Sequence, residues 1–253
     1  MVKPKKHLGQ HFLKDEHISK RISDSLTGFG QYKTIIEIGP GTGALTKYLL
    51  NRNEELVSLE VDQESIKYLH QKYPQLKVIE QDFLKFDLLE ISKRNIAVIG
   101  NFPYNISSQI LFKAIDDKDK ISELVGMFQK EVAERVASGP GNKTYGILSV
   151  LIQAYYKVEY LFTVDEDVFY PPPKVKSGVL RLQRISSDPD CNEKLFRKVV
   201  KITFNQRRKM IRNTIKALIG EIKSQHSLYT KRPEQLSVLE FIELTNFLES
   251  QIK

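Results

Sequence analysis

A doubly wound α/β fold with a mainly parallel sheet, followed by a small all-α part, is predicted for this chain of 253 residues. Three observations predict it. Short β-rich runs alternate with helically spaced apolar residues between positions 34 and 129. The first such run, Thr34–Ile38, passes directly into Gly39-Pro40-Gly41-Thr42-Gly43, and helical spacing resumes through Leu45, Leu49 and Leu50. Beyond the turn-forming stretch Ser186-Ser187-Asp188-Pro189-Asp190 only helical patterns occur.

In chain order, residues 3 to 16 are basic and turn-like, anchored by Leu8, Phe12 and Leu13. Ile18, Ile22 and Leu26 predict a helix from His17 to Phe29. After the Thr34–Ile38 strand and an Ala44–Arg52 helix come a strand from Leu56 to Val61, a helix from Gln63 to Lys72 and a strand from Leu76 to Glu80. A strand from Ile96 to Gly100, a helix from Ile106 to Ile115 and an apolar strand from Leu124 to Gln129 continue the alternation. Tyr145 to Tyr156 reads as a buried helix, with strands at Lys157–Val164 and Gly178–Arg184 and a proline-rich loop, Phe169 to Lys176, between them. Helical spacing at Leu195, Val199 and Ile202, and again at Leu236, Leu239, Phe241, Leu244 and Leu248, completes the chain. The division expected is 1–185 and 186–253.

Composition narrows the function classes. A net charge of +8 points toward a polyanionic partner. A single cysteine, Cys191, excludes an internal disulfide framework and suits a reducing cytoplasm, and one Cys with five scattered His offers no metal-ligand cluster. The opening basic segment leads into no apolar core, so no signal peptide is expected, and no run is long enough to span a membrane. Nothing requires more than a monomer.

Gly39, Glu60, Asp82 and Asn101 each close an expected strand, and ligands of such sheets sit at the strands' carboxyl ends, so the four should meet in one cleft. A glycine-rich turn with an acid 21 positions after Gly39 fits a nucleotide-type cofactor whose ribose hydroxyls are held by Glu60. A dinucleotide and S-adenosyl-L-methionine both satisfy that pattern. Glu37, two residues ahead of the first Gly, and Asp82, able to accept from an adenine amino group, favour the methyl donor.

Asn101-Phe102-Pro103-Tyr104 supplies a side-chain amide oxygen, a carbonyl held outward by the following proline, and a flat ring. An exocyclic amine needs two acceptors and a stacking surface, which these residues could offer to adenine; as a bland alternative they only end the strand. Phe169, held by prolines, could be the opposite wall of the base site, or its ring could plug the core. Lys194 to Lys216 holds nine Lys or Arg and no acid, with Gln206-Arg207-Arg208-Lys209 at its centre. Such a run is either a solvated helix face or, with Lys3, Lys5, Lys6 and Lys143, a strip for RNA phosphates.

The segments GQHFL, EIGPGTG, LEVD, QDFL, NFPYNIS, GPGNKTYGILSV, FYPPPKVKSGV and FNQRRKMIRN stand in the order and spacing of the rRNA adenine N6-dimethyltransferases, and the chain resembles their bacterial small-subunit branch most. The resemblance covers nearly the whole chain. It implies a Rossmann-like class I S-adenosyl-L-methionine-dependent methyltransferase domain with a helical rRNA-binding domain. It also implies dimethylation of two adjacent adenosines in the 3′-terminal hairpin loop of 16S rRNA, on the immature small ribosomal subunit. Carried onto this sequence, cofactor contacts come from His11, Leu13, Gly39, Gly41, Glu60, Asp82 and Asn101, and target-base contacts from Asn101, Phe102, Pro103, Tyr104 and Phe169. Lys143, Lys174, Arg207, Arg208, Lys209 and Arg212 are the expected RNA contacts. His11 stands where many relatives have Asn, so a backbone contact is expected there, and Phe102 in place of Leu should make the pocket rim bulkier. Competing readings are a large-subunit rRNA dimethyltransferase of the macrolide-resistance type, a non-catalytic assembly or transcription factor, and a nicotinamide-dependent dehydrogenase.

Overall fold

The computed structural model describes residues 2–220 and 224–252. These form two compact units, one built from residues up to Ala133 with Lys157–Arg184, the other from Glu134–Tyr156 with the chain from Ile185 onward.

The first unit begins with a two-residue strand, β1 (Phe12–Leu13), and α1 (Glu16–Asp24). Asp15 caps α1 by accepting the Ile18 N–H at 2.9 Å. The helix ends well before Phe29, because Thr27 is drawn to the buried Glu123: its N–H donates at 3.0 Å and its hydroxyl at 2.7 Å. Then follow β2 (Thr34–Ile38), α2 (Thr46–Leu49), β3 (Glu55–Glu60), α3 (Gln63–Lys72), β4 (Lys77–Glu80), β5 (Ile96–Asn101), α4 (Ser107–Asp116) and β6 (Ile121–Gln129). α2 is shorter than expected, since the glycine turn occupies the chain as far as Leu45. Lys130–Ala137 forms a helix, α5, with no counterpart among the elements expected from sequence. Its Ala133 and Val136 are buried. After α6 (Ile147–Gln153) come β7 (Tyr156–Val164), β8 (Phe169–Tyr170) and β9 (Ser177–Arg184).

Seven strands make the main sheet in the order β4-β3-β2-β5-β6-β9-β7. β4, β3, β2, β5 and β6 run parallel, and β9 pairs antiparallel with β6. β2 is buried at every position and β5 at all but Asn101, as parallel strands covered on both faces must be. The succession of strands reverses direction across the sheet between β2 and β5, and a crevice opens at their carboxyl ends at such a point.

The second unit is helical. α7 (Glu193–Asn205), capped by Asn192, is followed by α8 (Ile211–Thr214), α9 (Lys216–Ile219) and α10 (Val238–Ile252). Phe196, Val199 and Val200 of α7 and Phe241, Leu244 and Leu248 of α10 are fully buried. α6 packs on α7, so residues 134–156 cluster with the helices rather than with the sheet. The division thus differs from a single cut at 185/186: an apolar helix inserted ahead of β7 completes the helical unit. No helix among the described residues is long and apolar enough to cross a membrane.

Candidate active site

One cleft lies at the carboxyl ends of β2, β3 and β5. Gly39 and Gly41 after β2, Glu60 at the end of β3, Asp82 after β4 and Asn101 at the end of β5 all line it, as do His11 and Leu13 of the N-terminal segment. Topology brings the strand-end residues together. The N-terminal segment joins them through contacts that spacing does not reveal.

The acidic side of the cleft is tightly bonded. The Glu60 carboxylate accepts the Val61 N–H at 2.8 Å, the Asp62 N–H at 2.9 Å and the Gly41 N–H at 3.1 Å. Burial raises its pKa, and these three donors partly offset that. A carboxylate has about four acceptor positions, so capacity remains for a ribose hydroxyl. Gly41 sits at φ +56°, and a Cβ there would lie 2.9 Å from the Phe12 ring, so the turn needs glycine on both counts. Asp82 Oδ1 accepts the Leu84 N–H at 3.0 Å. A buried carboxylate with acceptor capacity left, a second carboxylate and a turn with glycine at 39, 41 and 43 together fit S-adenosyl-L-methionine. No group of three His, Cys, Asp or Glu that could hold a metal occurs among the described residues.

Glu37, which the sequence marks without assigning a role, is 1% exposed and also lines the cleft. Thr46 donates to its carboxylate at 2.7 Å and Ser58 at 3.3 Å. Burial nevertheless pushes its pKa up to about 7.

The end of β5 presents the Asn101 amide. Its Nδ2 donates to the main-chain carbonyl of His11 at 2.9 Å, which leaves Oδ1 as the acceptor. The Tyr104 hydroxyl pairs with the Ser177 hydroxyl at 2.7 Å. Ser177 opens β9 and is fully buried, so it fixes the phenol from the core side. The His11 ring stacks on Tyr104 with centroids 5.6 Å apart, and its Nδ1–H donates to the Pro171 carbonyl at 2.7 Å. The histidine thus serves the site twice, by its carbonyl and by its ring.

Two expected rings lie in the core, although Phe102 itself lines the cleft. Phe169 does not line the cleft: it is 1% exposed and packs in the core with Leu13. β8 pairs antiparallel with β1, Leu13 opposite Phe169 and Phe12 opposite Tyr170, and strand alternation turns Phe169 inward and Tyr170 outward. The Phe102 ring does not thicken the rim either. It is 1% exposed, edge-on to Phe128 with centroids 5.1 Å apart. Gly100 and Gly126 make room for it, since a Cβ at either would come within 2.5 Å and 2.2 Å of that ring.

Among the basic residues, Lys143, Arg208, Lys209 and Arg212 of the helical unit are exposed, and Lys174 is exposed in the sheet unit. Arg207 is committed: its guanidinium donates to the Asn142 carbonyl at 3.2 Å and lies 3.9 Å from the Glu234 carboxylate. That bond ties the Lys143 loop to the turn that follows α7. Lys5 is likewise taken up, in an ion pair with Asp62.

Comparison with known proteins accords with this geometry. The family model described as ribosomal RNA adenine dimethylase matches residues 1–250. The chain is 56% identical to the ribosomal RNA small subunit methyltransferase A of Parabacteroides distasonis over 250 residues, 97% of this chain and 94% of that one. Its structure resembles the crystal structure of a dimethyladenosine transferase from Plasmodium falciparum, with a TM-score of 0.77, 26% identity and coverage of 94% and 97%. It also resembles the 23S rRNA methyltransferase ErmE, with a TM-score of 0.70, 25% identity and coverage of 92% and 98%. The fold is therefore the Rossmann-like class I methyltransferase sheet with a C-terminal helical part, and the chain belongs to the ribosomal RNA adenine dimethylase family.

Proposed function

We propose that this protein dimethylates N6 of two adjacent adenosines in the 3′-terminal hairpin loop of 16S rRNA on immature small ribosomal subunits, in the cytoplasm and as a monomer. The observation that carries the reading is the Asn101 amide, fixed by His11 at the end of β5 with its oxygen left to accept. S-adenosyl-L-methionine, when bound, supplies an electrophilic methyl on a sulfonium sulfur. Glu60 would hold its ribose, Asp82 its adenine amine, and Gly39 and Gly41 would let it approach the turn.

The target amine's lone pair is delocalised into the purine ring, and the nitrogen must pyramidalise to attack. Asn101 Oδ1 and the Phe102 carbonyl, ahead of Pro103, would accept its two hydrogens and stabilise the positive charge that develops; one such preorganised group contributes about 3 kcal/mol. Transfer would break the donor's C–S bond as the N–C bond forms, and the extra proton would leave to solvent, so no side-chain base would be required. Tyr104 would stack on the base, worth roughly 1–3 kcal/mol, once the base is turned out of its loop. With Phe169 in the core, His11 is an aromatic neighbour of Tyr104. Lys143, Lys174, Arg208, Lys209 and Arg212 would meet RNA phosphates.

Likeness to a 23S rRNA methyltransferase supports a second reading, action on the large subunit. Mapping N6,N6-dimethyladenosine in immature small subunits and in large-subunit RNA after incubation with the methyl donor separates them. Two adjacent modified adenosines in the small-subunit RNA are expected; modification confined to the large-subunit RNA would overturn the proposal.

A further inference from the structure

Within the stretch from Lys5 to Leu13, residues His7 to Leu13 form one wall of the cleft, yet the stretch carries only a turn of 3-10 helix and two residues of strand. It is held at both ends and in the middle. β1 pairs with β8 at one end, and the His11 carbonyl accepts from Asn101 in the middle. At the other end the contacts gather at the start of α3, chiefly on Asp62, with the Lys5 ammonium also 3.4 Å from the Glu64 carboxylate. The Lys5 ammonium pairs with Asp62 Oδ1, Gln10 Nε2 donates to Oδ2 at 3.3 Å, and the Lys5 N–H donates to Gln10 Oε1 at 2.8 Å.

Asp62 is 2% exposed and already caps α3, accepting the Glu64 N–H at 3.3 Å and the Ser65 hydroxyl at 2.9 Å. Asn or Ser would cap as well. A buried full charge costs desolvation, so a carboxylate here has to be explained by its cationic partner. Burial alone would raise the Asp62 pKa; Lys5, Ser65 and Gln10 reverse that and hold it below the ordinary carboxylate value. Asp62 also stands two residues after Glu60, and its own N–H donates to the Glu60 carboxylate at 2.9 Å. The segment that carries the proposed ribose acid thus also anchors the N-terminal wall.

We infer that Asp62 is a positioning residue for the methyl-donor site: with Lys5 and Gln10 it latches the Lys5–Leu13 wall, and the latch sets the affinity for S-adenosyl compounds. This rests on the reading that the cleft binds the methyl donor. If cutting the latch lowers the fraction of molecules with the wall in place, the apparent dissociation constant rises in inverse proportion to that fraction.

Calorimetric titration of S-adenosylhomocysteine into the full chain tests it, with wild type, Lys5→Met, Lys5→Arg, Asp62→Asn and the Lys5→Met/Asp62→Asn double variant. Asp62→Asn keeps the cap, and Lys5→Met changes a partly exposed side chain, so both should fold. Each single loss is expected to weaken binding roughly 5–20-fold, with the double variant no weaker than the worse single, as for two halves of one interaction. Lys5→Arg should stay within about twofold of wild type, because it keeps the charge. Lys5→Met should also leave the salt dependence of RNA binding unchanged, since this lysine is already paired. Binding by Lys5→Met as tight as by wild type, or single effects that add in the double variant, would overturn the latch while leaving the cofactor reading intact. No binding by wild type would overturn both.

Discussion

The Asn101 side-chain Nδ2 donates to the main-chain carbonyl of His11 at 2.9 Å, so one hydrogen bond both orients the Asn101 amide and pins the N-terminal wall. The relationship is directional. Replacing Nδ2 with an oxygen sets it against a carbonyl oxygen, and the two repel. Asn101→Asp should therefore weaken S-adenosylhomocysteine binding several-fold while also lowering turnover. Calorimetry beside a methyl-transfer assay checks this, and unchanged affinity would show that the bond does not hold the wall.

Glu37 makes stability depend on pH. Its carboxyl titrates near 7 in the fold and near the ordinary value of 4.5 in the unfolded chain. Between those values the folded state holds the extra proton, so stability is lost as pH rises through that window. Glu37→Gln should remove the loss, by on the order of 3 kcal/mol. Urea melts of both proteins at pH 5 and pH 8 check it: the variant should gain on wild type at the higher pH, and parallel behaviour would refute the titration.

Tyr104 separates stacking from anchoring. Tyr104→Phe keeps the ring and loses the bond to Ser177, so KM for small-subunit RNA should change no more than about threefold. Tyr104→Ala loses the ring, and KM should rise roughly 10–100-fold. Steady-state kinetics with saturating methyl donor distinguish the two, and equal effects would mean that the ring does not meet the base.

Much of the cleft was legible in the sequence because strand-end residues of a parallel sheet must share one edge. That logic reached Gly39, Glu60, Asp82 and Asn101, which no local signal connects. The rings of Phe169 and Phe102, expected at the pocket, lie in the core, which for Phe169 is the alternative the proline-rich loop left open, while Phe102 still lines the cleft. The inward turn of Phe169 follows from a two-residue strand pair too short to leave a periodicity, and the burial of Phe102 depends on Gly126, a glycine from another strand. The α5 helix did leave a trace, the spacing of Val132 and Val136, but it follows β6 without any turn residue to announce it. The boundary between the units was missed because α6 is apolar on its own terms, and only its packing on α7 reveals which core it completes.

The basic residues divide by role. Neutralising Arg208, Lys209 and Arg212 to Gln should weaken RNA binding and lower the slope of log affinity against log salt by roughly 2. Arg207→Gln should instead lower the melting temperature, because that side chain braces the Asn142 carbonyl and Glu234. Filter binding across salt concentrations and thermal melts check both; an unchanged slope in the triple variant would remove these residues from the interface.

On the proposed mechanism a neutral amide oxygen at residue 101, and no proton-abstracting base, stabilises the amine as it is methylated. Single-turnover methyl transfer by Asn101→Ala, with RNA and methyl donor both saturating, tests it most directly. The expected rate is at least about 100-fold below wild type, with RNA affinity within a few-fold. A rate within threefold of wild type would contradict it.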